Sequence, residues 1–170
     1  MDKLNIFLDL DQVIFDWNFH YAQRFNTNVP KGWSKSKLMI KRLHILAKEK
    51  DFWLSLPIKN KPNFQPKGFL SARGIPKAWT KESLKINQIP GRSNVHQVGW
   101  GESKIQKLKE FGVDIFIDDN PETFRDCNKN GIFCLLMDAT TNQNVKTDLR
   151  IFDLDINNIM NMYYKYQIKL

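Results

Sequence analysis

The apolar run Leu4-Asn5-Ile6-Phe7-Leu8 ends on Asp9-Leu10-Asp11, so a strand-like segment stops on two carboxylates two residues apart. In that spacing one carboxylate can serve as nucleophile or metal ligand while the next turns over it. A lone Asp-x-Asp is also an ordinary way to satisfy loop amides, so its weight depends on what else the chain carries. Three later segments carry more. Lys67-Gly68-Phe69-Leu70-Ser71-Ala72-Arg73-Gly74 ends an apolar run on a hydroxyl, and Gly101-Glu102-Ser103-Lys104 puts an ammonium at the start of a helical stretch. Val113 to Ile117 then ends on Asp118-Asp119-Asn120-Pro121. Phosphoryl transfer suits these groups. A phosphate monoester repels an attacking anion, so its cleavage needs cations that neutralise charge and a nucleophile already oriented.

Each residue also has a quieter reading. Ser71 can end its strand through a local turn, Lys104 can be a solvated lysine in a first helical turn, and Asp118 to Pro121 can be a helix N-cap. Adjacent acids after a buried strand nevertheless repel one another, and a cation resolves that repulsion.

Taken in order, Asp9-Leu10-Asp11, Ser71, Lys104 and Asp118-Asp119 resemble the four motifs of the haloacid dehalogenase-like phosphohydrolases, over residues 4 to 137. The phrases Asp9 to Trp17 and Phe116 to Pro121, with a small insertion after the first motif, are most similar to the 5'-nucleotidase (deoxyribonucleotidase) branch. The resemblance implies that Asp9 attacks phosphorus and that Asp11 protonates the leaving oxygen and then activates water. It implies Ser71, Ala72 and Lys104 as phosphate contacts. Mg²⁺ would be held by Asp118, an Asp9 oxygen and the main-chain carbonyl of Asp11, a set of hard oxygens. Asp119 would support them from behind. Gln12 stands where many such nucleotidases have Gly, and its side chain is expected to face solvent or the cap. Phe15, Trp17, Trp33 and Trp53 lie in or beside the insertion, where an aromatic could stack on a base or simply fill the core. Arg73 could meet a second phosphate or a nucleic-acid backbone, or make a surface salt bridge.

The elements that must position these residues alternate. Leu4–Asp9 reads as the first strand and Asp16–Phe25 as a helix broken by Val29-Pro30-Lys31-Gly32. The apolar spacing predicts a helix from an N-cap at Ser34 to about Lys50, and the proline-bearing segment 57–66 reads as a connector. Strands follow at Phe69–Ala72, Val95–Val98, Val113–Ile117 and Ile132–Met137. Helices are expected at Pro76–Asn87, Ser103–Phe111 (closed by Gly112), Pro121–Lys129 (capped by Asn120) and Ile156–Tyr166. Such alternation implies an α/β fold with a mainly parallel sheet covered on both faces, and in such sheets ligands sit beyond the carboxyl ends of the strands. The resemblance adds a three-layer Rossmann-like core, strand order 3-2-1-4-5, with residues 1–15 and 67–170 as catalytic core and 16–66 as a small helical cap and connector.

Composition bounds the rest. The 170 residues, 42% hydrophobic, suffice for one core with a small appendage. Cys127 and Cys134 are too few for a disulfide framework, which points to a reducing, cytoplasmic setting. No secretion signal or membrane span is visible. His20, His44 and His96 lack zinc spacing, and no Walker or dinucleotide fingerprint argues for a kinase or dehydrogenase. The net charge is +8, with 20 Lys or Arg against 9 Asp or Glu before residue 111. That excess favours phosphorylated or polyanionic partners, although Lys31, Lys35, Lys37, Lys41, Arg42, Lys48 and Lys50 can also be a solvated helix face. The expectation is a Mg²⁺-dependent phosphomonoesterase on nucleoside monophosphates. The alternatives are a phosphatase of nucleic-acid ends and a non-catalytic nucleic-acid or protein-binding module of the same fold.

Overall fold

A computed structural model describes residues 4–32 and 36–167. Six parallel strands form one sheet: β1 (Ile6–Leu8), β2 (Gly68–Ser71), β3 (Val95–Gln97), β4 (Ile115–Asp118), β5 (Phe133–Met137) and β6 (Arg150–Ile151), in the order β3-β2-β1-β4-β5-β6. The helices are α1 (Trp17–Arg24), α2 (Lys37–Leu46), α3 (Lys50–Leu54), α4 (Lys77–Ile86), α5 (Ile105–Glu110), α6 (Pro121–Lys129) and α7 (Ile156–Gln167).

The central strands β1, β2, β4 and β5 are buried along their whole length because both faces are covered, whereas the edge strands β3 and β6 carry His96, Gln97 and Arg150. Alternation along each strand divides the core in two. Leu8, Ile117 and Leu135 point to one face, packed with Leu84 of α4, Ile159 of α7 and the inserted aromatics Trp17 and Trp53. Phe7, Phe116 and Cys134 point to the other, against Leu108 of α5 and Phe124 of α6. The helices inserted after β1 therefore share a hydrophobic cluster with the sheet.

The insertion leaves and re-enters through a tied neck. Three amides, of Val13, Ile14 and Phe15, turn onto the Leu10 carbonyl, and Gln12 takes φ +63° to make the turn. The Asp16 amide donates to Pro57 at 2.8 Å, that of Lys59 donates to Ile14 at 2.8 Å, and Phe15 bridges Ile58. Lys59 Nζ then ties the turn to the end of β5, donating to the carbonyls of Gln12 and Asp138. Of the two placements expected for Gln12, solvent or cap, the second is observed: it is only 2% exposed and its side-chain amide donates at 3.1 Å to Oδ1 of Asp16, the residue that opens the insertion and caps α1.

Three departures from the sequence-based elements have physical causes. The expected helix from Ser34 to about Lys50 stops at Leu46, and a separate short helix, α3, begins at Lys50. Ser36 Oγ accepts from the Met39 amide to start α2, and the buried indole N–H of Trp53 donates to the Leu46 carbonyl at 2.7 Å, satisfying a helix-end acceptor that would otherwise be orphaned. Ser34 and Trp33 lie outside the described residues. Most elements are a residue or two shorter than expected at their ends. The sheet gains β6, whose two residues are too few to show alternation. No helix among the described residues is long and apolar enough to cross a membrane.

Close packing around β1 is testable at Gly68, where a Cβ would lie 2.6 Å from Phe7 Cε1 and 2.6 Å from Asn94 Nδ2. Gly68→Ala is expected to cost about 1–3 kcal/mol in urea unfolding. A neutral result would mean that the two strands separate freely.

Candidate active site

The carboxyl ends of β1, β2 and β4 meet at one edge of the sheet, and their last residues carry the polar groups. Asp9 extends the pairing of β1 with β4, its amide donating to the Ile117 carbonyl at 2.9 Å. Asp118 ends β4 and Ser71 ends β2. Lys104, at the N-cap of α5, places its Nζ 2.7 Å from Asp118 Oδ2 and 3.1 Å from Asp9 Oδ2. Asp118 Oδ1 accepts from the Asn120 amide at 2.7 Å, which also turns the chain into α6. Asp119 joins this group: carboxylate oxygens of Asp9, Asp118 and Asp119 all lie within 4.8 Å of one another, and all three residues are buried.

Three buried carboxylates share one buried ammonium. Burial alone pulls the Lys104 ammonium down, but the charges of Asp118 and Asp9 outweigh it and raise its pKa. Burial pushes Asp118 up to about 6; the Asp9 charge adds to this and Lys104 opposes it. Burial and the charges of Asp118 and Asp9 hold Asp119 well above the usual carboxylate range. Burial lowers the Lys59 ammonium while Asp119, Asp16 and Asp138 oppose the shift. Asp9 Oδ1 is buried with no hydrogen-bond partner among the described residues. It is one of four such buried side-chain atoms among the described residues, with Asn18 Oδ1, Arg73 Nη1 and Ser83 Oγ, and as a carboxylate oxygen it is the one that most needs an explanation. An all-oxygen donor set with excess negative charge and one unused acceptor fits a hard divalent cation.

Asp11 stands apart from this cluster. Arg73 donates to both of its oxygens, Nε to Oδ2 at 2.9 Å and Nη2 to Oδ1 at 2.6 Å. The Arg73 side chain is fully buried, with its guanidinium over the rings of Phe15 and Trp53, 5.3 and 5.1 Å from their centroids. Its third nitrogen, Nη1, has no partner among the described residues. The surface salt bridge weighed for Arg73 is thus corrected to a buried, forked one. Phe15 is fully buried beneath Arg73.

Above these groups lies a cavity of about 920 Å³. Asp9, Asp11, Ser71, Ala72, Lys104 and Asp119 line its floor, Trp17, Met39, Leu43 and Trp53 line it from the insertion, and Trp100 and Arg125 also contribute. It falls in the size range of pockets that enclose small organic ligands.

Sequence reasoning missed the groups that hold the far wall. Asn142 donates to the carbonyls of Asp119 and Met137, both at 2.8 Å. Arg150, from β6, donates to Asp138 Oδ1, Asn142 Oδ1 and the carbonyls of Asn142 and Val145. Thr141 Oγ1 reaches Asp119 Oδ2 at 3.4 Å. The only signal was polarity between Thr140 and Asn144, which marks a loop and nothing more.

No protein-family model matches the chain, and no curated protein matches it. A parallel α/β sheet with a buried acidic triad at its carboxyl edge is therefore what the fold and the geometry establish.

Two outcomes test these electrostatics. Because Asp118 and Asp119 bind protons more tightly folded than unfolded, their ionisation weakens the metal-free protein; for Asp118 this cost is relieved as pH falls through about 6 toward the ordinary value of 3.8, and for Asp119 acidification relieves it in the same direction. Asp119→Asn should thus raise the melting temperature of the chelator-treated protein near neutral pH, by about 2–8 °C for a gain of about 1–2 kcal/mol. The gain should shrink in acid. Thermal melts across pH, with and without divalent cation, read this; an unchanged melting point would show that ionised Asp119 costs nothing. Arg73→Met, which leaves Asp11 facing an apolar side chain, should destabilise by about 3 kcal/mol in urea, with Arg73→Lys recovering only part because it cannot fork.

Proposed function

We propose that this protein is a divalent-cation-dependent phosphomonoesterase of the haloacid dehalogenase type, acting through an aspartyl-phosphate on nucleoside monophosphates. The observation that carries the reading is the unpartnered Oδ1 of Asp9, buried beside Lys104 and Asp118 on the floor of a ligand-sized cavity.

Asp9 is the nucleophile: a carboxylate oxygen bonds to phosphorus as the ester oxygen departs. Lys104 anchors the other Asp9 oxygen, fixing the line of attack, and its charge offsets that of the phosphoryl group. Ser71, with the Ala72 main chain beside it, contacts a phosphoryl oxygen. Asp11, held in place by Arg73, hands a proton to the departing oxygen and later accepts one from water as that water attacks the phosphorus of the aspartyl-phosphate. Phosphate leaves and the Asp9 carboxylate is restored. Asp9, Asp118 and the main-chain carbonyl of Asp11 would hold Mg²⁺, with Asp119 close enough to supply a further oxygen. When bound, the ion neutralises phosphoryl charge as a Lewis acid. Residues 16–66 serve as the cap, where the half-buried Met39 and Leu43 of α2 offer apolar surface to the nucleoside.

Phosphate release from ribo- and deoxyribonucleoside monophosphates should require Mg²⁺, stop on chelation and fall at least about a thousandfold in Asp9→Asn. If the purified protein turns over no phosphomonoester, the proposal fails.

A further inference from the structure

Residues 17 to 48 hold seven Lys or Arg and no Asp or Glu. Arg24 is neutralised by Glu49 and Arg42 lies over Tyr21 and Phe25, but Lys31, Lys37, Lys41 and Lys48 are exposed and pair with no acid among the described residues. Lys37, Lys41 and His44 recur at helical spacing and so form one stripe along α2. Large apolar side chains are interleaved with it: Leu38 is 57% exposed and Ile40 46%. A merely solvated charge run has no need of them. Lys31 and Ile40 also line the Asp9 cavity, so the cationic face continues into the site. Trp100 lines the same cavity; it lies against Gly74, is 37% exposed, and its ring is edge-on to His44 at 6.1 Å between centroids.

A cationic track interleaved with apolar side chains, and ending at an aromatic plane, matches a strand of nucleic acid whose phosphates follow the lysines and whose unpaired bases find apolar and aromatic surface. We infer that α2, Lys31 and Trp100 form a binding track for single-stranded nucleic acid, which delivers a phosphorylated end to Asp9. This rests on the phosphomonoesterase reading and extends its substrates from nucleotides to strand ends. Paired bases could not stack on Trp100, so duplex is the poorer ligand.

Binding of a labelled, 5'-phosphorylated oligothymidylate of about twelve nucleotides to Asp9→Asn protein with Mg²⁺ tests the track without turnover. Contacts from Lys31, Lys37 and Lys41 predict a loss of about twentyfold in affinity between about 50 and 200 mM salt. Lys37→Glu with Lys41→Glu should weaken binding and make the logarithmic salt slope shallower by about 1.4. Trp100→Ala should cost about five- to a hundredfold with the slope unchanged. The same charge reversal at Lys81 and Lys85, exposed on α4 away from the cavity, should leave the slope nearly as it was.

The inference is overturned by a flat salt response, by equal losses from the α4 reversal, by an inert Trp100→Ala, or by binding to anionic phosphatidylserine vesicles with none to the strand. Separately, wild-type kcat/KM for this strand should exceed that for thymidine monophosphate at low salt. If nucleotides are hydrolysed but the strand neither binds nor reacts, the track alone falls. If nothing is hydrolysed, the phosphatase reading falls and the binding measurements still decide the track.

Discussion

Placing three carboxylates at the dry end of a parallel sheet is the constraint around which this molecule is arranged. Buried charges are costly unless paired, and one ammonium cannot satisfy three acids. Lys104 bridges Asp9 and Asp118, the Asn120 amide takes another Asp118 oxygen, and Asn142 takes the Asp119 main chain. What is left over is concentrated on Asp9 Oδ1 and on Asp119. Such charges cost stability where they stand, and a cluster of this kind is what a metal or catalytic site requires.

The second ion pair follows a different logic. Arg73 donates to both oxygens of Asp11 in a fork, and its guanidinium lies over the aromatic rings of Phe15 and Trp53, although its third nitrogen stays without a partner among the described residues. Trp53 belongs to the insertion, and its indole also closes α2. One tryptophan thus links the helices over the cavity to the arginine that orients Asp11.

The chemistry-bearing positions were legible because each sits where an apolar run stops: Asp9, Ser71 and Asp118 are strand ends, and strand ends converge in a parallel sheet. The α/β class followed from alternation, while strand order came from motif resemblance, since periodicity is silent on order. Asn120 and Pro121 placed α6 to the residue. Long-range pairings were not legible. Arg73 and Asp11 are 62 residues apart and Asn142 and Asp119 are 23 apart, and no local pattern encodes such partners. The break after α2 escaped detection because a side chain five residues beyond the helix's C-cap turn, not a glycine or proline, satisfies its last turn. Gln12 was legible only as facing solvent or the cap, and its hydrogen bond to Asp16 decides for the cap.

The insertion and the sheet face also share one apolar cluster, in which Trp17, Phe52, Trp53 and Leu56 pack with Leu8, Phe15 and Ile117. Lifting those helices as a body would wet that cluster, at a cost comparable to much of a domain's net stability. The helices over the cavity are therefore held to the sheet by the same apolar contacts that hold the core together. The roof of this pocket is thus part of the core, and a substitution that loosens Trp17, Phe52 or Trp53 would be felt by the sheet and the cavity together.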